Sequence, residues 1–208
     1  MRTLKISGCS ISTPLKSQII PFLDQVEPVA SATNSVNTVV NRAGILIGEN
    51  TDIDGIEYAL RNRFVESIRV FGAGSVVHSL LAVLRKRGVK RVFVAARNAD
   101  SRKKLNEQYS LQEDSGEEVD LLVNATPASL DPSQTELFQL VNRSRAVFDL
   151  LVSAKKTPLL EAAAQAGKET ISGVEMSKGQ LKRQFEIYTG LQVSAQEIDE
   201  VVARAFSG

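Results

Sequence analysis

Residues 68–77 read Ile68-Arg69-Val70-Phe71-Gly72-Ala73-Gly74-Ser75-Val76-Val77. A run with the character of a buried strand enters a glycine turn and leaves as a helix, expected over about residues 76–87 and closed by Gly88. Glycines at such a turn permit a tight bend and close approach of a ligand to the backbone. The helix N-terminus adds free N–H groups and the positive end of its dipole, so a pyrophosphate fits there. Gly72, Ala73, Gly74 and Ser75 are the expected cofactor contacts. Val77 occupies the third small position of the fingerprint and is bulkier than usual.

Downstream, strand and helix alternate. Strands are expected at 91–95, 119–123 and 146–151. Helices are expected at 98–109, which is polar, and at 157–166, closed by Gly167; residues 110–118 read as a loop. Strands separated by helices imply right-handed crossovers and a parallel sheet. The second strand ends in Ala95-Ala96-Arg97-Asn98, without the acidic residue that would hold the ribose hydroxyls of NAD. A guanidinium there can bind a 2′-phosphate, so Arg97 favours NADP over NAD.

Upstream, residues 4–12 read as a strand. Residues 17–29 read as a helix with Ile19, Ile20, Phe22 and Leu23 on its apolar face, although Pro21 sits in its first turn. Residues 36–40 and 45–48 form a hairpin pattern around Asn41-Arg42-Ala43-Gly44. A helix follows from Asn50-Thr51-Asp52 to about residue 64, with Asp54 and Glu57 at capping-box spacing. From Gly173 the pattern is helical, at 176–188 and 194–206. The expected fold is α/β: a Rossmann-type parallel sheet domain over 63–167 plus a smaller, N-terminally truncated α/β substrate domain over 1–62. The helices of 168–208 pack back across the two lobes.

Composition narrows the function classes. The 208 residues are 43% hydrophobic, enough for a sizeable core. Lys plus Arg is 25 against 24 for Asp plus Glu, so no global charge points to nucleic acid or an anionic membrane. The basic cluster Arg85-Lys86-Arg87 with Lys90-Arg91 falls at a helix C-terminus, where cations meet the negative end of the dipole. One cysteine, Cys9, and one histidine, His78, make neither a disulfide framework nor a zinc cluster, and a metal site is not expected. No apolar run reaches the roughly 20 residues that span a bilayer, and no signal-peptide core opens the chain. A cytoplasmic location is the default expectation.

The ordered motifs resemble the shikimate dehydrogenase family, closest to its shikimate dehydrogenase-like branch. They are residues 8–16 (Gly8-Cys9-Ser10-Ile11-Ser12-Thr13-Pro14-Leu15-Lys16), Ser35-Val36-Asn37-Thr38-Val39, Asn50-Thr51-Asp52, Gly72-Ala73-Gly74, Asn124-Ala125-Thr126-Pro127, Thr157-Pro158-Leu159-Leu160, and 173–190 with Gln180. The resemblance implies reversible reduction of 3-dehydroshikimate to shikimate with NADPH, or a related polyol-acid reaction. It implies Lys16 and Asp52 as the catalytic pair, with Ser10, Ser12, Asn37 and Gln180 on the substrate. Asn124 and Thr126 would lie on the cofactor. The chemistry agrees: hydride delivery to a carbonyl carbon leaves negative charge on oxygen. A lysine oriented by a carboxylate can supply the proton.

The family pattern begins with strand–helix units carrying a Ser-x-Ser motif that has no counterpart here. Val152 stands where the family often has a tyrosine, and Ser10 and Ser12 replace an Asn and a Thr. The N-terminal sheet, expected as one strand plus a hairpin with open edges, suggests a homodimer through that lobe. Two alternatives accompany the dehydrogenase reading: a catalytically impaired dinucleotide-binding relative acting as a sensor or oligomer partner, and a quinate dehydrogenase.

Overall fold

The computed structural model describes residues 1–96, 98–131, 133 and 135–205. Two sheets organise it. The first has four strands in the order β1-β3-β4-β2. β1 is Gly8–Ser10, β2 Gln25–Val26, β3 Thr38–Arg42 and β4 Ile45–Glu49. The hairpin β3–β4 turns on Ala43 and Gly44, both at positive φ (+52° and +93°), the conformation a two-residue primed turn requires. β1 lies antiparallel to β3, and β2 parallel to β4.

The expected helix over 17–29 does not form. In its place are a 3-10 turn at Ile20–Phe22, the strand β2 and the short helix α1, Pro28–Ala32. Pro21 and Pro28 lack the N–H a continuous helix needs; Ile20 stays within the 3-10 turn, and Glu27 before Pro28 leaves the helical region at ψ 146°. Ile19, Ile20 and Leu23 still pack on Val36 and Leu46, but Phe22 is 71% exposed. The strand expected over 4–12 is only three residues long. The sheet has a fourth strand beyond the expected strand plus hairpin, and its edge strands have three and two residues, short templates for pairing with another chain.

Helix α2, Asp52–Ala59, links the sheets and stops earlier than expected. Guanidinium groups satisfy its last carbonyls: Arg61 on Tyr58 O, Arg63 on Ala59 O, and Arg87 on Leu60 O. No capping box forms, because the helix starts at Asp52 and Glu57 instead pairs with Lys86 at 2.8 Å.

The second sheet has five parallel strands in the order β6-β5-β7-β8-β9. They are β5 Ser67–Phe71, β6 Arg91–Ala95, β7 Val119–Asn124, β8 Ser144–Asp149 and β9 Glu169–Ser172. The crossovers are α3 Ser75–Lys86, α4 Ala99–Tyr109, α5 Thr135–Val141 and α6 Pro158–Gln165. Strand order reverses between β5 and β7, and the crevice past their C-terminal ends is where open parallel sheets bind ligands. One core, with Val70, Leu80 and Phe148, lies on the α3 face; a second, with Leu122, Leu137 and Leu160, lies under α5 and α6.

Neither α5 nor β9 was expected. β9 contributes one fully buried side chain, Ile171, so it carries little pattern. The last helices are α7 Gly173–Thr189 and α8 Ala195–Ala205. α7 packs along α2 at a close crossing. A Cβ on Gly55 would lie 2.6 Å from Met176 O, and one on Gly179 would lie 2.5 Å from Tyr58 Cβ. Two glycines thus let α7 approach α2 closely enough to overhang the gap between the sheets.

Candidate active site

β1 ends at Ser10, and the loop after it carries Ser12 and Lys16; the Thr13–Pro14 peptide in that loop is cis. Backbone bonds seat the loop on the hairpin: Ile11 N donates to Asn37 O at 2.7 Å, and Val36 N to Lys16 O at 2.9 Å. Asp52 is the first residue of α2, where the helix dipole favours a carboxylate.

Lys16 Nζ donates to Asp52 Oδ2 at 2.6 Å, and Asn37 Nδ2 donates to Asp52 Oδ1 at 2.8 Å. Asn37 Oδ1 accepts from Thr51 N (2.8 Å), Thr51 Oγ1 (3.1 Å) and Thr38 Oγ1 (2.9 Å). With three donors on that oxygen, the side chain offers a ligand only its second Nδ2 hydrogen. Asn37 is buried, and the structure gives it to Asp52 first. Asn50 is buried too, reaching Thr33 Oγ1 and Ser79 Oγ at 2.8 and 2.9 Å.

A cleft of about 820 Å³ opens between the two sheets. Ser10, Ser12, Lys16, Asp52 and Gln180 line it, with Val152 and, from α3, Val76. Val76 is the second residue of α3, two positions past Gly74, so the proposed cofactor turn and the Lys16–Asp52 pair border one space. Ser10 Oγ is hydrogen-bonded to Tyr188 Oη at 3.2 Å; burial pushes the Tyr188 phenol above its ordinary value, so it stays neutral.

The turn itself suits a pyrophosphate. Gly72 is at φ +124°, and a Cβ there would lie 2.9 Å from Thr126 Cγ2. A Cβ on Gly74 would meet open space, so backbone there is free to be approached. Ser75 begins α3, whose first turn holds no acidic residue. Asn124 braces the facing turn: its Nδ2 donates to Thr126 O (2.7 Å) and Asp149 Oδ1 (2.9 Å), and its Oδ1 accepts from Thr126 N and Oγ1. Both amide hydrogens and the oxygen are therefore used within the protein. Arg97 lies outside the described residues. Beyond β6 a cavity of about 340 Å³ is lined by Ala96, Arg102 and Lys103 among others.

His78 meets the Tyr109 ring edge-on at 6.0 Å between centroids, and burial lowers its imidazole below its ordinary value. Three of the five residues of the basic cluster serve the fold: Lys86 pairs with Glu57, Arg87 caps α2 and Arg91 pairs with Glu117. The strand reading missed one charge: Arg69 in β5 is fully buried and grips Asp114 through Nε (2.6 Å) and Nη2 (2.7 Å). A lone basic residue inside an apolar run was the one signal that marked it.

A five-stranded parallel sheet with an open glycine turn, facing a lysine–carboxylate pair across a cleft, defines a two-lobed α/β oxidoreductase of the dinucleotide-binding class. Comparison narrows the class. Residues 1–39 match the family model of the shikimate dehydrogenase substrate binding domain, and residues 68–195 that of the saccharopine dehydrogenase NADP binding domain. A shikimate dehydrogenase-like protein of Haemophilus influenzae is 30% identical, over 99% of this chain and 80% of its own length. The shikimate dehydrogenase (NADP(+)) of Pelodictyon phaeoclathratiforme is 33% identical, over 96% of this chain and 78% of its own. The solved shikimate 5-dehydrogenase of Thermus thermophilus, in complex with NADP(H) and shikimate, superposes with a TM-score of 0.84 at 31% identity, covering 97% of this chain and 80% of that one. The chain belongs to the shikimate dehydrogenase family. Among the described residues no helix is long and apolar enough to cross a membrane.

Proposed function

We propose that this protein interconverts 3-dehydroshikimate and shikimate, or a close polyol acid, with NADP. The observation that carries this reading is the Lys16–Asp52 pair lining one cleft with Gln180 and Val76. Gly72, Ala73, Gly74 and Ser75 would hold the cofactor, which when bound would supply a hydride acceptor as NADP and a hydride donor as NADPH. In the reducing direction the Lys16 ammonium gives its proton to the substrate oxygen as negative charge builds there. Asp52 holds that ammonium in place, and Asn37 fixes the carboxylate through its other oxygen. In the oxidising direction the neutral Lys16 amine takes the hydroxyl proton. Ser10, Ser12 and Gln180 hold the remaining substrate hydroxyls, and Arg97 reads the 2′-phosphate.

A matrix of two acids and two cofactors tests the assignment: shikimate and quinate, each with NADP and NAD. The expected result is the highest kcat/KM for shikimate with NADP. Preference for quinate would move the substrate assignment, and a folded chain that binds NADP but turns over neither acid would favour an impaired relative.

A further inference from the structure

Gln184 lies one helical turn beyond Gln180 on α7, on the same face. Its side chain is 6% exposed, and its Nε2 donates to Thr38 Oγ1 at 2.9 Å. The Thr38 hydroxyl donates onward to Asn37 Oδ1 at 2.9 Å. Asn37 Nδ2 then donates to Asp52 Oδ1 at 2.8 Å, and Asp52 Oδ2 accepts from Lys16 at 2.6 Å. A chain of hydrogen bonds thus runs from α7 through β3 to the carboxylate of α2.

The direction of donation gives Gln184 its leverage. The Thr38 hydroxyl has one hydrogen; Asn37 Oδ1 lies 2.9 Å away and Thr51 Oγ1 3.2 Å, and the Tyr188 phenol, on the same helix as Gln184, also reaches this side chain. An N–H arriving from Gln184 occupies a lone pair on Thr38 and turns that hydrogen away from α7, towards Asn37. This adds to the Thr51 N–H in holding Asn37 with its oxygen on the donors and its nitrogen on Asp52; the flipped amide would set a carbonyl against a carboxylate. In a buried network each satisfied bond orients the next.

We propose that Gln184 is a positioning residue for the Asp52–Lys16 pair, acting through Thr38 and Asn37. The seating of α7, the helix that carries Gln180 into the cleft, thereby sets the orientation of the carboxylate that holds the proton donor. The kinetic arm of this inference rests on the dehydrogenase reading.

The test uses the full chain with Gln184→Met, which keeps length but cannot donate, and Gln184→Glu, which at pH 8 accepts from Thr38 and reverses the bond. The expected result for each is a kcat about tenfold lower, with KM for shikimate within about twofold. Adding Thr38→Val to Gln184→Met should cost no more than Thr38→Val alone. A role limited to filling space or tethering α7 predicts full kcat in Gln184→Glu; that result, or losses that multiply, would overturn the proposal. If the unsubstituted chain does not turn over shikimate, the dehydrogenase reading has failed on its own. Urea unfolding of Gln184→Met, Asp52→Asn and their combination then decides the relay. Coupling of about threefold or more in the unfolding constant, between side chains that do not touch, supports it. Additive effects overturn it.

Discussion

Lys16 and Asp52 stand 36 positions apart in sequence, and Lys16 Nζ donates to Asp52 Oδ2 at 2.6 Å. Their side chains are 14% and 3% exposed, so this is not a solvated surface pair of negligible worth. The pair is held from behind by Asn37, which leads to a first prediction. Asn37→Ala leaves the Thr51 N–H without its acceptor and frees one carboxylate oxygen of Asp52. Stability should fall by about 1–3 kcal/mol in urea unfolding, and kcat should fall more than KM rises.

Arg69 and Asp114 contribute to the acid limb of stability, beside Asp24, Asp120, Glu197 and Asp199, whose carboxyls are also held below their ordinary values. The hydrogen bond from Arg69 is the largest cause holding the Asp114 carboxyl below its ordinary value of 3.8. The unfolded chain therefore binds this proton more readily than the folded one. The contribution is complete above about pH 4 and is lost as pH falls through the folded value. Asp114→Ala should flatten that part of the acid limb. It should also cost about 3 kcal/mol at neutral pH, since Arg69 is left buried without its partner. Unfolding measured from pH 3 to 7 checks both.

The α2–α7 crossing should be intolerant of bulk. Gly179→Ala gains helix propensity of about 1 kcal/mol. The added Cβ would nevertheless lie 2.6 Å from the backbone oxygen of Asp54, which cannot swing aside. A net loss of about 1–3 kcal/mol is expected from overpacking. Because Gln180 moves with α7, KM for shikimate should rise more than kcat falls. A variant as stable and as active as the parent would show that the crossing has slack.

Arg97 carries the cofactor prediction. Removing one charge-assisted contact to a 2′-phosphate costs about 1.5–3 kcal/mol. Arg97→Ala should therefore raise KM for NADP at least about tenfold and leave that for NAD within about twofold. Equal effects on both cofactors would remove Arg97 from the phosphate.

The parallel sheet was legible because buried strands are nearly continuous apolar runs and glycines mark the helix ends. β6 fell on residues 91–95, and Gly88 and Gly167 closed α3 and α6, both at positive φ. In the N-terminal lobe the β3–β4 hairpin and the start of α2 were legible, but the segment before them was not, because Pro21 and Pro28 interrupt an apolar spacing that still packs inward, and β2 has two residues. Lys16 and Asp52 read singly as a surface lysine and a helix start; only the succession of motifs set them apart. Gln184 and Tyr188 carried no local signal, since a polar residue on an amphipathic helix reads as solvated. Their roles follow from the face of α7 that the Gly55–Gly179 crossing turns towards the first sheet.

The central claim is that Lys16 moves the proton. Its most direct test is the rate of NADPH formation from shikimate and NADP by the parent chain and by Lys16→Met, with NADP binding to both followed by fluorescence titration. The account predicts turnover by the parent, a loss of about 10²–10⁴-fold in kcat for the variant, and NADP affinity within about twofold. Unchanged kcat in a folded Lys16→Met chain would contradict it.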